Sequence, residues 1–303
     1  KISRKLGVEI LCNSKVKSIK TENGLITGVE IVPNKIYYAK AVILACGGTS
    51  YPVTGSTGDG YPIARNLGHK VTNVRPALVP VETIGETAKN LQGLSLINIK
   101  INVWIDGKKS SEEFGEMIFT HFGLSGPVIL TLSRRYNAEI QQKKRVIFSI
   151  DLKPALDDQK LDNRFMRDLN ENGKMKLLNI FKLWLPSKLI LVFIQILKLD
   201  KDKPANQVNA EERKRIRALL KDFQFEVAAL RPFSEAIITS GGIALDQVDP
   251  QTLSSMLFRN LFFAGEVLDL DANTGGYNLQ IAFSTGALAG ECAAKLIQNS
   301  NHN

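Results

Sequence analysis

Cysteine and histidine are both scarce in this chain. Its 303 residues contain three cysteines, Cys12, Cys46 and Cys292, and three histidines. No two of the cysteines have the spacing of a metal-binding pair, and their odd number argues against a disulfide framework. We therefore expect no metal site and a reducing, cytoplasmic environment.

Long uninterrupted hydrophobic runs are also lacking. The most apolar stretch, residues 177–199, is interrupted by Lys182, Pro186 and Lys188. A charge at the centre of a bilayer costs about 2.5–3.5 kcal/mol, and proline disfavours helix at the residue before it. We predict two amphipathic helices that meet at Leu185–Pro186, and no membrane span.

Acidic residues are fewer than basic ones, 30 against 39, which gives a formal net charge of +9. Such a balance is found in proteins that bind nucleic acid or acidic lipid. Here lysine and arginine are spread along the chain among acidic residues, as in residues 211–222 (EERKRIRALLKD). That pattern favours solvated helical faces, so nucleic acid is the less favoured partner.

β-rich segments fill the first 45 residues. Alternating or β-branched patterns predict four strands here, at residues 8–11, 16–20, 25–32 and 35–38. Asn23-Gly24 is a tight-turn signal between two of them. Residues 41–45 (AVILA) form a continuous apolar run, which is typical of a strand covered on both faces in a parallel sheet.

Two glycines, Gly47 and Gly48, follow that apolar run. Paired glycines at the carboxyl end of a strand permit close approach of a ligand, although an ordinary turn explains them equally well. A second glycine-rich segment follows at residues 54–61 (TGSTGDGY), before a helix predicted at residues 62–69. It is not a Walker A loop, because no Gly-Lys-Ser/Thr follows. Asp59 could cap the helix, but a cap does not require three glycines.

The segment 261–290 (LFFAGEVLDLDANTGGYNLQIAFSTGALAG) carries the strongest signal. An apolar strand ends at Gly265-Glu266, an acidic loop follows, and Gly275-Gly276 precede a helix that begins near Tyr277. The unpaired amides and dipole of a helix N-terminus stabilise negative charge. The segment therefore predicts a site for an anionic ligand group.

The two ends of the chain share this strand, glycine turn and helix, whereas the middle does not. Residues 71–106 are predicted to be β-rich, and residues 155–230 to be mostly helical and charged. We predict a nucleotide-binding domain formed by residues 1–75 and 235–303, interrupted by an insert or substrate domain at residues 76–234.

Four segments in this order resemble the bacterial NAD(P)/FAD-dependent oxidoreductases of the aminoacetone-oxidase-like and bile-acid-reductase type. They are AVILACGGTSYPVTGSTGDGYPIARNLGHKV (41–71), GEMIFTHFGLSGPVIL (115–130), ITSGGIALDQVDPQTLSS (238–255) and the 261–290 segment. The resemblance implies an α/β fold: a FAD-binding Rossmann-like domain of the glutathione-reductase type, interrupted by a mixed β-plus-helical insert domain. It also implies hydride transfer between NAD(P)H, as a co-substrate, and a small organic substrate through FAD.

The resemblance further assigns positions to the cofactor. The implied FAD-binding residues are Ala45, Gly47 and Gly48 on the adenosine side; Gly55, Gly58, Asp59 and Gly60 near the flavin half; Gly265, Glu266 and Asp269 at the ribityl-phosphate region; and Gly275, Gly276, Asn278, Leu279 and Gln280 at the isoalloxazine. In that family an earlier strand and GxGxxG-type turn hold the pyrophosphate. This sequence begins after it, so we expect these residues alone to hold no stoichiometric FAD and to associate, for example as a homodimer.

His121 is the candidate catalytic residue. It lies in a predicted loop before a helix that starts at Pro127, a favourable first helical position. A loop histidine beside Thr120 and Ser125 could protonate a substrate, or it could merely bond backbone in a turn. Two alternatives to a small-molecule oxidoreductase stay open: a flavoprotein that acts on or binds RNA, and a non-catalytic flavin-binding interaction protein.

Overall fold

The computed structural model describes residues 2–300, and these divide into two compact units. One unit contains the residues up to Pro76 together with those from Ala236 onwards, and the other is Ala77–Glu235. The predicted domain boundaries, after residues 75 and 234, each differ by one residue from this division. The functions assigned to the two domains stay predictions.

The described residues form thirteen strands and ten α-helices, besides short 3-10 turns. The strands are β1 Val16–Glu22, β2 Leu25–Ile31, β3 Lys35–Tyr38, β4 Val42–Leu44, β5 Arg75–Ala77, β6 Val81–Thr83, β7 Ser95–Ile105, β8 Lys108–Phe119, β9 Gly123–Ser125, β10 Val146–Asp151, β11 Phe223–Leu230, β12 Ile238–Ser240 and β13 Leu261–Phe263. The helices are α1 Ile2–Lys5, α2 Gly60–Asn66, α3 Thr87–Asn90, α4 Pro127–Arg135, α5 Asn137–Gln141, α6 Asp158–Glu171, α7 Leu177–Phe181, α8 Ser187–Leu197, α9 Ala210–Lys221 and α10 Tyr277–Asn299.

The first unit opens with an antiparallel sheet in the order β1-β2-β3. The predicted hairpin is confirmed: Glu22 pairs with Leu25, and Asn23 and Gly24 between them both have positive φ, 48° and 77°. Such angles match the turn to the twist of the two strands. The strand predicted at residues 8–11 is wrong, because these residues are exposed and pair with no strand among those described.

β4 and β13 pair in parallel, with Val42 opposite Leu261 and Leu44 opposite Phe263. Phe263 and Leu261 are fully buried, whereas Ile43 is 39% exposed. The expectation that this strand is buried on both faces is therefore wrong for β4, since only one of its faces is covered by described residues. The predicted helix end is confirmed, because α2 stops at Asn66 and Gly68 follows with φ 91°.

Asn260 joins three parts of the first unit. Its amide nitrogen donates to the carbonyl oxygens of Ile26 (2.8 Å) and Lys40 (2.9 Å), and its amide oxygen accepts from the Ile26 N–H (3.0 Å). The side chain is 6% exposed. One buried amide thus links β2 to the segments leading into β4 and β13.

The second unit contains a closed six-stranded barrel in the order β10-β11-β6-β9-β8-β7. β10 pairs antiparallel with both β11 and β7, which closes the barrel, and Phe148 lies opposite Phe225 on one side and Val103 on the other. All three side chains are buried. The prediction of a mostly helical region to residue 230 missed β11, although its sequence FQFEV alternates with period two.

The helices α6 to α9 pack on the same hydrophobic core as the barrel. As predicted, the apolar stretch is two helices separated at Pro186, since α7 ends at Phe181 and α8 begins at Ser187. Between them, Trp184 stacks on Phe165 at 3.9 Å and donates from Nε1 to Asp168 (2.8 Å). Across residues 2–300, no helix combines the length and apolarity needed to cross a membrane.

Candidate functional site

The candidate site in the first unit begins where β4 and β13 end side by side. Because the two strands are parallel, their carboxyl ends deliver residues 45–48 and 264–266 to the same edge of the sheet. In open α/β sheets this edge is where ligands bind. A cavity of about 380 Å³ lies along β4 beside Ala45 and Cys46, within the volume range of small-molecule sites.

Thr239 connects the two strand ends, and sequence reasoning did not single it out. Its Oγ1 accepts hydrogen bonds from the N–H groups of Thr49 (2.8 Å) and Ser50 (3.1 Å), while its own N–H donates to the Glu266 carboxylate. A Cβ at Gly48 would overlap Thr239 Oγ1 and come within 2.7 Å of Glu266 Oε1. Packing within the protein therefore accounts for glycine at position 48 without a ligand.

The glycine loop before α2 is also tightly packed in places. A Cβ at Gly60 would lie 2.5 Å from Cys46 Sγ, and one at Gly58, which has φ 75°, would lie 2.7 Å from Thr49 Cγ2. Asp59 occupies the N-cap position of α2 but makes no side-chain capping bond; its carboxylate instead pairs with Lys15 at 3.3 Å. The capping interpretation of Asp59 is therefore wrong.

Two titratable side chains border this loop. Desolvation of the sulfur, and to a lesser degree the negative charge of Asp59, raise the pKa of the Cys46 thiol. Burial and the charge of Glu266 raise the pKa of the Tyr61 phenol, whose hydroxyl donates to the Glu266 carbonyl oxygen at 3.4 Å. Both groups are thus held in their neutral forms, and Cys46 is not activated as a thiolate.

The third part of the site is the N-terminus of α10, which starts at Tyr277 as predicted. Gly275 and Gly276 have φ 114° and 91°, which are left-handed values that favour glycine, and no side chain caps the first turn. The Asn278 side chain accepts from the Ala272 N–H (2.8 Å) and donates to the Ala272 carbonyl oxygen (2.9 Å). This pair of bonds fixes the preceding acidic loop against the helix.

One face of α10 is open. Leu279 and Phe283, one turn apart on this face, are 64% and 71% exposed, and Tyr277, on the other side of the first turn, is 62% exposed. Among residues 2–300, no atom outside the helix backbone and the neighbouring residues lies within 4 Å of a Cβ built on Gly276 or Gly286. Uncapped amides next to open glycines and exposed apolar side chains form a surface that a flat, anionic ligand could cover.

His121 lies in the second unit, in the turn between β8 and β9. Its exposed ring packs edge-to-face on Phe122 at 4.9 Å, and the Arg231 guanidinium lies over the other ring at 4.4 Å from its centroid. Arg231 donates to Glu82 (2.6 Å) and to Glu235 (2.5 Å). The hydrogen bond from Arg231, and to a lesser degree its charge, hold the pKa of Glu235 below its usual value, with a smaller contribution from His121.

The predicted surroundings of His121 hold in part. α4 begins at Pro127, as the sequence indicates. The Thr120 hydroxyl accepts a hydrogen bond from the Gly123 N–H (3.1 Å), and this bond stabilises the turn between β8 and β9. Sequence reasoning missed the Arg231 cluster; the available signal was the arginine and proline at 231–232, just before the 238–255 motif. No group of three or more His, Cys, Asp or Glu residues that could hold a metal occurs within the described range.

The HI0933-like protein Rossmann domain matches residues 1–292 of the chain. The chain belongs to this family. The predicted recognition as a bacterial FAD-dependent oxidoreductase family is thereby confirmed, as is the α/β, Rossmann-like fold class. HI0933-like proteins are flavoproteins. The question is therefore whether the strand ends and the N-terminus of α10 suit FAD.

Three relatives of known name resemble this HI0933-like chain over most of its length. A 3-dehydro-bile acid delta(4,6)-reductase from Clostridium scindens is 27% identical over 293 residues, 96% of this chain and 71% of the relative. A ribosomal RNA dihydrouridine synthase from Haemophilus influenzae is 29% identical over 93% of this chain and 67% of the relative. The Escherichia coli protein of the same name is 27% identical over 84% of this chain and 60% of the relative.

The residues present fit FAD. Backbone N–H groups without side-chain caps suit an anionic group, and the open face of α10 leaves room beside them. Gly48, Gly58 and Gly60 pack closely against neighbouring side chains, and this packing fixes the position of the strand-end loops. A site that binds a large cofactor benefits from such a preformed frame.

Proposed function

We propose that this protein is a FAD-dependent reductase that saturates an activated carbon–carbon double bond in an organic substrate, with NAD(P)H as the reductant. The observation that carries the proposal is the likeness to the Clostridium scindens reductase over 96% of the chain. The names delta(4,6)-reductase and dihydrouridine synthase both describe reduction of a ring double bond, although their substrates differ greatly. The common element is the bond that is reduced.

FAD, when bound, accepts a hydride from a reduced donor and passes it to the substrate. The residues proposed to hold it are Ala45, Gly47, Gly48, Gly55, Gly58, Asp59, Gly60, Gly265, Glu266, Asp269, Gly275, Gly276, Asn278, Leu279 and Gln280. The uncapped amides of the α10 first turn would stabilise negative charge on the reduced cofactor. Glu266 would mainly hold the two strand ends together, because its carboxylate already accepts a hydrogen bond from the Thr239 N–H.

Saturating a polarised double bond requires a proton as well as a hydride. We assign the proton to His121, since histidine is the commonest general acid and this ring is exposed. Glu235 and Arg231 would hold the turn that carries it, through the stack on Phe122. We propose that the substrate is a small molecule. The enzyme itself is proposed to be cytoplasmic, able to form a homodimer, and without nucleic-acid or membrane partners.

The test uses the purified full-length protein with FAD, kept free of oxygen. Bleaching of the flavin absorbance by NADPH or NADH measures the first half-reaction. Recovery of the absorbance on adding either a 3-keto steroid with conjugated double bonds or a ribosomal RNA transcript measures the second. Recovery with the steroid supports a small-molecule enzyme, recovery with RNA alone favours the synthase-like alternative, and recovery with neither contradicts the proposed reaction.

A His121→Gln variant tests the proton donor. Turnover is expected to fall by about 10²–10⁴-fold, while bleaching by the nicotinamide is unchanged, because the first half-reaction does not need this proton. His69→Gln serves as the matched control, since His69 lies in the other unit and bonds to Ser255. A loss of less than threefold in His121→Gln would assign the ring a structural role only.

A further inference from the structure

The second unit has a cavity of its own, distinct from the strand-end loops and from the His121 turn. It has a volume of about 760 Å³ and lies between the β7–β8 ribbon, the loop after β10 and helix α6. Cavities of this size hold small organic molecules. Ile97, Asn98 and Phe114 contribute from the ribbon, and Lys153, Leu156 and Arg164 from the loop and helix.

The ribbon side of the cavity is apolar and exposed. Ile97 is 64% and Phe114 61% exposed, although both belong to the longest strand pair of the described chain. The pairing register shifts between Leu96 and Ile99, and Asn98 inside that shift has φ 53°. A bulge of this kind redirects side chains, and here it leaves Ile97 facing the cavity.

The opposite side is cationic. Lys153 and Arg164 line the cavity, and no acidic residue is among its lining. Within residues 2–300, the Lys153 ammonium forms no ion pair, and the carboxylate of Asp151, two residues before it, is paired with Lys221 at 2.6 Å. The Arg164 guanidinium lies 3.7 Å from the Asp168 carboxylate, a long ion pair. The same carboxylate also accepts a hydrogen bond from Trp184 Nε1 at 2.8 Å.

The two cations disfavour each other. Desolvation, and then the positive charge of Arg164, lower the pKa of Lys153. A bound anion would reverse the second of these effects, since an opposite charge nearby favours the protonated amine. The cavity therefore has a charge that an anionic group would complement.

The cationic loop is held in place before any ligand arrives. The Lys221 ammonium donates to the carbonyl oxygens of Lys153 (3.1 Å) and Leu156 (2.8 Å), and Asp151 accepts from the Lys153 N–H (2.9 Å). A loop fixed in this way loses little conformational entropy on binding. The backbone that carries Lys153 is consequently in position before a ligand binds.

We infer that this cavity binds an amphipathic organic anion, with its apolar body on Ile97 and Phe114 and its carboxylate at Lys153 and Arg164. The inference does not depend on the flavin reaction, because every residue it uses lies in the second unit. Sequence patterns alone could not indicate it, since the two sides are separated by about forty positions or more.

The experiment titrates the full-length protein with decanoate and follows binding by calorimetry and by amide shifts in NMR spectra. Saturable binding of one decanoate is expected, with shifts at residues 97, 114 and 153. Lys153→Gln should weaken it by about tenfold or more, since a charge-assisted hydrogen bond contributes about 1.5–3 kcal/mol. Phe114→Ser should weaken it as well, and its exposure makes loss of folding implausible.

Two controls make the result decisive. Lys182→Gln removes the same charge from an exposed position in the same unit, outside the cavity lining, and should leave decanoate binding unchanged. Decanol has the same body without the carboxylate and should bind at least tenfold more weakly. The inference is overturned if decanoate does not saturate, if decanol binds equally well, or if Lys153→Gln behaves like Lys182→Gln.

Discussion

The barrel of the second unit encloses large side chains such as Phe119, Phe148 and Phe225, whereas α10, the long helix of the first unit, buries only Ala289 and Ala293. The second unit thus has a large continuous hydrophobic core, while the first has a smaller one around Leu261 and Phe263 and adds polar junctions at Thr239 and Asn260. This difference indicates where each unit obtains its stability. It also separates the residues that maintain the fold from those that are available for a ligand.

Truncation in the barrel core should have the largest effect. Phe148→Ala removes a fully buried ring that faces neighbours on two strands, and should lower the free energy of unfolding by about 3–5 kcal/mol. Phe283→Ala is the matched control, because this ring is 71% exposed on α10. Urea unfolding followed by circular dichroism measures both. Equal losses in the two variants would contradict the proposed contrast between the units.

Removing a polar junction should cost less. Asn260→Ala leaves the Ile26 N–H and two carbonyl oxygens without their partner, so we expect a loss of about 1–3 kcal/mol in the free energy of unfolding. Asn66→Ala, at an exposed helix end, should change stability little. Hydrogen exchange of the Ile26 amide offers a local readout, and unchanged protection there would show that the junction does not hold the segments together.

The Gly276→Val variant should act on cofactor affinity more than on folding. A β-branched residue at φ 91° strains the turn before α10, at a cost of about 1–2 kcal/mol, and it crowds the open surface beside the amides. We expect FAD affinity to fall by about tenfold and the flavin potential to shift downward. Gly107→Val imposes similar strain at φ 81° in the β7–β8 turn and should leave FAD affinity unaltered; an equal effect of both would remove α10 from the proposed site.

The smallest expected effect is a pH dependence from His69. Burial lowers the pKa of this ring from its usual value of 6.5, so the unfolded chain binds its proton more readily than the folded one. Stability from this group is therefore present above pH 6.5 and declines as the pH falls below it. His69→Gln should unfold with a weaker dependence on pH between 7.5 and 5.5. A variant that keeps the full dependence would show that other groups cause it.

Local chemistry accounts for what the sequence predicted well. The Asn23-Gly24 turn, the end of α2 at Gly68, the helix break at Pro186 and the start of α10 all depend on residues close together in the chain. Residues 8–11 show the limit of this approach, since alternation alone does not supply a partner strand. β11 was missed for the opposite reason: its alternation lies within a charged, helical context.

Long-range contacts were beyond sequence reasoning. Thr239 bonds to Thr49 across 190 positions, and Asn260 to Ile26 across 234. Neither pairing has a sequence signature, because a threonine or asparagine in a loop has many alternative partners. The frame of the candidate site therefore became visible only in the folded chain, although the glycine-rich loops on that frame could be located beforehand.

The pairing of β5 with β12 has an evolutionary consequence. The chain leaves the first unit just after Pro76 and returns at Ala236, at strands that lie side by side. Neighbouring strands are about 4.8 Å apart, and domains whose two ends lie close together are tolerated as insertions. Lineages can then replace the inserted barrel, or reshape it, while the unit that carries the glycine loops keeps its connectivity and its register.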